Sequence, residues 1–501
     1  MQPTQLEEQM RCSSTVGGRT NREVVAATRG AGRAVCSGLA SRIASEIPAA
    51  PRPSDFLTAF PANPYDSAVC ATPCRPGKQP AARMRLSPDE REMTIELEYG
   101  QTDVLRLELS ADALLLDGSL PRGTPLADPA AAARAALSSP IEFPPLSSAV
   151  VPGDRIAVAV DRGVAQVAPV VAAVVEAVLE GGAIPKDVSL LLPPGSSPRS
   201  QALATSALPP AIRDSVRVAV HDPNNQRAHC YLAAAKDGKP IYFNRTIFDA
   251  DLVVPVGTLR LDDAFGYGGV HSGLFPVFSD RSTRSRFCLP SGGDWAARRQ
   301  RYRQETEEAA WLLGVQFTVQ VNPGPNGSAL QVLAGEARAV ARQGRPLCEA
   351  AWKFSAPRRA SLVIAAITGG PGQQTWENFG RALYAASRAV TDGGTIVLCT
   401  ALHGTIGPAL KCLASLDTTR DNWQQSLRRE RSDDARSAWL LAETLQHVQV
   451  FLLSQLPGDE VEDLGVGHIE HAGAIQHLTR HCNSCIVMGG AQYAIPSVAN
   501  E

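Results

Sequence analysis

Reactive side chains concentrate in one stretch of this sequence, TLRLDDAFGYGGVHSGLFPVFSD (258–280). Asp262 and Asp263 are adjacent carboxylates that can act as general bases if the loop desolvates them enough to raise a pKa. In an open loop they are ordinary solvated acids. His271 offers an imidazole to a metal ion or to a carboxylate substrate, or is simply solvated. Gly266, Gly268, Gly269 and Gly273 let the backbone approach a ligand or a packed element closely. The glycines form no dinucleotide fingerprint, because GxGxxG counted from Gly266 requires glycine at the position of His271. The stretch follows a buried strand, which favours a ligand-binding loop over a surface turn.

Asp161 is the other well-placed acid. It ends the apolar run RIAVAVD (155–161), where it either meets a ligand or caps the turn. A further concentration lies near the C-terminus, with His468, His471, His477, His481, Cys482 and Cys485. The run HCNSC there invites a zinc or redox reading. Against a metal, the spacing matches no standard ligand set and Cys485 opens the apolar run CIVMGG. Cys70 and Cys74 resemble half a zinc site but have no matching pair. Most of the remaining cysteines sit in apolar runs, as Cys399 does in TIVLCTAL, which is the usage of a reducing compartment and points to the cytoplasm.

Patterned elements are available to position these residues. MTIELEYG (93–100) and TDVLRLELS (102–110) alternate apolar and polar residues and read as a hairpin. DPAAAARAALSSP (128–140) is a helix with Asp128 as N-cap and Pro129 at its first position. Strand 155–161, helix 168–182 and strand 187–195 follow, then strands 217–222 and 250–257. Helix 299–314 ends on a glycine and leads into strand 315–321. A linker is expected near 340–357. Beyond it, strand 360–368, helix 375–390, strand 393–402 and the runs VQVFLLSQL and SCIVMGG form a second strand–helix series. Alternation of this kind predicts an α/β fold with parallel sheets covered by helices. Ligand sites then belong at strand carboxyl ends, here Asp161–Gln166 and Gly195–Arg199.

The chain has 501 residues, enough for two or three domains. Lys and Arg (48) nearly balance Asp and Glu (50), so no global positive field exists to hold nucleic acid. No run approaches the roughly 18 apolar residues that span a bilayer. Residues 1–92 stand apart: Arg supplies every base but Lys78, and Ala, Ser, Gly and Pro dominate without hydrophobic periodicity. They read as a disordered extension or as a start assigned too early, with Met84 and Met93 as the alternatives.

In order, these segments resemble the nickel-dependent lactate racemase family (lactate racemase A and its relatives). MTIELEYG, PGDRIAVAVD, the His221–Asp222 pair, KPIYFNRTIFDADLVVPVG, GYGGVHSGLFP and ETEEAAWLLGVQFTVQV follow its N-terminal domain. ASLVIAAITGGPG and DGGTIVLCTAL look like its C-terminal domain. The resemblance implies two Rossmann-like α/β domains facing each other across a cleft, over residues 93–345 and 350–501. It also implies hydride transfer on a small 2-hydroxy acid by a nickel-pincer nucleotide tethered to a lysine, with histidines as bases and as a nickel ligand.

Residue by residue, the resemblance carries over with losses. Ser272 stands at the tether lysine, so a pincer cofactor, if held, is held non-covalently. Asp262 replaces one histidine and Ser197 another. Val164 stands where an arginine follows Asp161, and Cys288 falls near the nickel-ligating histidine. Arg381 keeps the charge of a family lysine. The expected catalytic residues are therefore Asp262, Asp263 and His271, and the expected metal ligand is Cys288. Cofactor contacts are expected from Asp161, Gly195, Ser197, Gly268, Gly269, Ser272 and Arg381. The implied function is that of a 2-hydroxy-acid racemase or epimerase with an altered or lost active site. The alternative is a non-racemising binder of a small anion or nucleotide in the cleft. A small-molecule partner is expected, with neither nucleic acid nor membrane.

Overall fold

A computed structural model describes residues 92–261, 264–266, 268–288, 294–416 and 422–499. The expectations for residues 1–91, including Cys70 and Cys74, and for Asp262 and Asp263 lie outside the described residues. Two six-stranded sheets organise the molecule.

The first sheet runs β11 (Ala329–Glu336), β10 (Phe317–Pro323), β9 (Leu252–Thr258), β4 (Ile156–Val160), β5 (Val188–Leu192) and β6 (Arg217–Val220). All its pairs are parallel except β10 with β11. β4 is buried along its whole length, as a strand covered on both faces must be. On one face lies the Val167–Glu180 helix, whose valines pack on Ile156, Val158 and Val160. On the other, Phe243, Phe275, Phe278 and Phe287 pack with Ala157 and Ala159 beneath the long Trp295–Leu313 helix. Phe243 belongs to a hairpin of β7 (His229–Ala234) and β8 (Pro240–Asn244).

The second sheet is parallel throughout. Its order is β16 (Gly467–Ile469), β15 (Gln449–Leu453), β14 (Val390–Cys399), β13 (Ala360–Ala366), β17 (Cys485–Met488) and β3 (Leu114–Gly118). The expected opening hairpin is present as β1 (Glu92–Tyr99) and β2 (Asp103–Ser110). Its buried Ile95, Leu97, Leu105, Leu107 and Leu109 pack on Leu362, Ile364, Val397 and Val487 of the second sheet. Residues 92–118, grouped by sequence with the first domain, thus complete the second. β12 (Lys353–Ala356) and β18 (Ile495–Val498) form a small parallel pair beside it.

The capped Pro129–Ser138 helix forms as expected, with the Asp128 carboxylate accepting from Ala131 N–H at 2.9 Å. The linker expected near 340–357 does not form. Residues Ala337–Trp352 are a helix that tolerates Gly344 and Pro346 in its interior. Burial decides against the helix breakers. Gly344 abuts Leu259 so closely that a Cβ there would meet it at 2.9 Å. Trp352 is fully buried and donates its indole N–H to the Pro323 carbonyl at 3.0 Å. Among the described residues, no helix is long and apolar enough to cross a membrane.

Candidate functional site

Each sheet reverses its strand order beside its first core strand. From β4 the chain builds outward through β5 and β6, then returns to place β9 on the other side of β4. From β13 it builds through β14, β15 and β16, then returns to place β17 on the other side of β13. At such a reversal the connecting segments diverge and leave a crevice at the strand carboxyl ends. The two crevices meet in this molecule. Gln373, after β13, donates its side-chain amide to the Gly163 carbonyl after β4. The Arg260 guanidinium, just past β9, lies 5.8 Å from the centre of the Tyr493 ring beyond β17.

Asp161 sits in the first crevice as the sequence implied. Its backbone N–H donates to the Val256 carbonyl on β9 at 2.8 Å, and its carboxylate accepts from Arg162 N–H at 2.7 Å. Arg260 approaches the carboxylate to 3.9 Å, and each side chain is only 10% exposed. Burial pushes the Asp161 carboxyl above its ordinary pKa, and Arg260 opposes that shift. Gly273 closes over it: a Cβ at that position would lie 2.8 Å from the Asp161 Cβ.

The second lobe contributes the Trp376–Ala389 helix, capped by Thr375, whose hydroxyl accepts from Asn378 N–H at 3.2 Å. One turn apart on it, Glu377 and Arg381 form an ion pair at 2.6 Å. A third of the Glu377 side-chain surface is still exposed, but its carboxylate faces arginines. Burial alone would raise its pKa, yet Arg381, Arg260 and Arg162 together hold it down at about 2. Arg381 also packs over the Phe265 ring at 4.8 Å. Across the lobes, Arg284 donates to Asp433 at 2.9 Å.

These groups enclose a cavity of about 60 Å³, lined by Arg162, Arg260, Arg284 and Arg381 with Asp161, Glu377 and Asp433. Four arginines face three acids, and burial favours the neutral form of Asp161. The field therefore favours a small anion. The volume admits a few atoms, far short of the roughly 300–1,000 Å³ of cofactor and drug-sized sites.

Of the residues expected from sequence, Asp161, Ser272, Cys288 and Arg381 line this cavity. The others do not. Ser197 caps the Pro198–Thr205 helix, accepting from Ser200 N–H at 3.2 Å, and is exposed. Gly195 and Gly269 are exposed turn residues with φ of +74° and +117°, which suits glycine. Gly268 is half-buried beside Gly269. His271 sits away from the cavity, within electrostatic reach of Glu336 and Arg338, and burial lowers its imidazole to about 4. Its Nδ1 is buried without a hydrogen-bond partner. Arg260, Arg284 and Glu377 were not anticipated, and Arg162 was anticipated only as part of the Asp161–Gln166 stretch. Arg162 and Arg260 carried a signal, because each lies two residues past the end of a core strand. Glu377 and Arg381 carried another, an acid and a base at i and i+4 on one helix.

A tethered nickel-pincer nucleotide needs an amine anchor, nitrogen or sulfur ligands for nickel and room for a nucleotide. Ser272 offers a hydroxyl that already donates to the Gly269 carbonyl at 2.6 Å. Burial pushes the Cys288 thiol up to about 12, and it is a single sulfur in the cavity wall. Among the described residues, no group of three His, Cys, Asp or Glu is arranged to hold a metal ion. The residues present do not fit that cofactor.

Comparison with known proteins agrees with the architecture. Residues 99–286 match the family model described as the lactate racemase N-terminal domain. No curated protein matches the chain by sequence. Among solved structures, the lactate racemase apoprotein from Thermoanaerobacterium thermosaccharolyticum is similar with a TM-score of 0.65 at 18% identity, over 81% of this chain and 100% of that one. A protein from Thermotoga maritima is similar with a TM-score of 0.54 at 15% identity, over 75% of this chain and 99% of that one. Residues 99–286 are thus similar to a lactate racemase N-terminal domain, and the two-lobed α/β fold is that of the lactate racemase apoprotein.

Proposed function

We propose that this protein binds a small carboxylate of the 2-hydroxy acid class in the cavity between its lobes, and that it has lost the tethered-cofactor chemistry of racemisation. The observation that carries this reading is the arginine-lined cavity at the junction of two strand-order reversals. Arg260 and Arg381 are the groups that would neutralise a ligand carboxylate, and Asp161 is the acid best able to hold or take a proton at a ligand hydroxyl. The enclosed volume suits a small anion and disfavours a nucleotide. The seven cysteines among the described residues are free thiols, in keeping with a reducing compartment such as the cytoplasm.

The test is thermal denaturation of the full chain with and without both enantiomers of lactate and of larger 2-hydroxy acids. A bound acid at about a hundredfold its Kd stabilises the folded state by roughly 2.7 kcal/mol. Chiral chromatography of the same mixtures, with protein coexpressed with a pincer-biosynthesis system, should show no interconversion. Racemisation would overturn the lost-chemistry half of the proposal. Absence of stabilisation by any small carboxylate would overturn the binding half.

A further inference from the structure

The His481–Cys485 run joins the Gly473–His481 helix to β17 at the amino-terminal edge of the second sheet, the opposite end from the arginine cavity. Cys485 is the first residue of β17 and is fully buried, with its N–H donated to the Ala113 carbonyl at 2.8 Å. Cys482, three residues earlier, is half-buried. The connection is pinned where Ser484 and Ser361 exchange hydrogen bonds of 3.0–3.1 Å. Both side chains pack into the apolar cluster between the opening hairpin and the second sheet. Cys482 Sγ also donates to the Thr479 carbonyl at 3.2 Å. Beneath Cys482 lies an open depression of about 480 Å³, with His477 and His481 on its rim.

We propose that Cys482 and Cys485 are a redox-active dithiol that is oxidised by low-molecular-weight disulfides of the glutathione class. The Cys482 thiolate, its proton lost to solvent, attacks one sulfur of the disulfide. One glutathione leaves as thiolate, and a mixed disulfide remains on Cys482. Cys485, deprotonated in its turn, attacks the Cys482 sulfur, forming the Cys482–Cys485 bond and expelling the second glutathione. Two protein thiols are thereby oxidised while one glutathione disulfide is reduced to two thiols. Reduced glutathione drives the reverse reaction.

The geometry assigns the order of attack. Cys482 faces the depression and is reachable, whereas Cys485 is sealed in the sheet and can meet only its neighbour. The two side chains pack in one cluster three residues apart, the Cys-x-x-Cys spacing of redox dithiols. The neighbouring Cys485 thiol lowers Cys482 below its ordinary value. The Cys482 thiol and burial together raise Cys485.

The experiment equilibrates the full chain in mixtures of reduced and oxidised glutathione, blocks free thiols by alkylation and digests with trypsin. The peptide after Arg480 runs from His481 to Glu501 and contains these two cysteines and no other. Under oxidising mixtures it should lose two hydrogens and carry no alkyl group; under reducing mixtures it should carry two alkyl groups. In C485S the peptide should trap one glutathione on Cys482. In C482S, Cys485 should react at least about tenfold more slowly than Cys482 does in C485S, as a buried thiol does. Two alkylated cysteines across the whole range in the native chain would overturn the proposal. So would glutathione accumulating equally fast on Cys485 in C482S.

Discussion

Arg381 and Glu377 show how single residues set the character of the cavity. Arg381 is 7% exposed in its side chain, and its ion pair holds Glu377 ionised at about 2, below its ordinary value of 4.5. Stability from this carboxylate is therefore fully present above about pH 4.5 and is lost as pH falls toward 2. R381M should destabilise the protein toward the lower end of the roughly 3–5 kcal/mol for breaking a buried pair, since Glu377 is still partly wet. It should also flatten the acid side of the stability profile, measured as Tm against pH, and abolish stabilisation by small carboxylates. An unchanged acid limb would mean that Glu377 does not depend on Arg381. Asp161 has the opposite sign: its raised pKa means that its contribution is lost as pH rises through the folded value. D161N should thus be at least as stable as the native chain at neutral pH while binding 2-hydroxy acids more weakly, by calorimetry. Asp161 was legible from its place at the end of an apolar strand, and Ser272, Cys288 and Arg381 because the family pattern supplied their positions. Arg162 and Arg260 were not singled out, since an arginine past a strand reads equally well as a solvated charge until the strand order is known.

At the scale of elements, the site depends on how tightly the 268–280 loop lies on the end of β4. Gly273 permits that contact, because any side chain there meets Asp161. G273V should cost about 1–3 kcal/mol through overpacking. It should also remove the Tm increase given by 2-hydroxy acids, since Ser272 and Asp161 would no longer hold their spacing across the cavity. Retention of the full ligand-induced shift would show that the loop is not part of the binding surface. Most elements were legible: the strands and the capped helices carry period-two runs, period-3.6 runs and end signals that agree with one another. The Ala337–Trp352 helix was not, because Gly344 and Pro346 argue locally for a break. What overrides them is Trp352, whose burial against Tyr493 and Gly490 comes from far along the chain.

For the whole molecule, the order of segments gave two lobes but not which segments build each one. The opening hairpin and β3 return to the second sheet, so residues 119–352 are in effect inserted into a lobe whose parts flank them. The hairpin's Ile95 and its four buried leucines cover a sheet face bearing Leu362, Ile364, Val397 and Val487. At about 1.5–3 kcal/mol for each fully buried apolar side chain, that cover contributes on the order of 10 kcal/mol. This is comparable with the roughly 5–15 kcal/mol net stability of a whole domain. Residues 350–501 alone should therefore show no cooperative thermal transition by circular dichroism. Joining residues 92–118 to residue 350 through a flexible linker should restore one, because Gly118 already lies against Phe354 and the linker has little distance to cross. A cooperative melt of 350–501 by itself would mean that the hairpin is an accessory, and that the second sheet closes its own core without it.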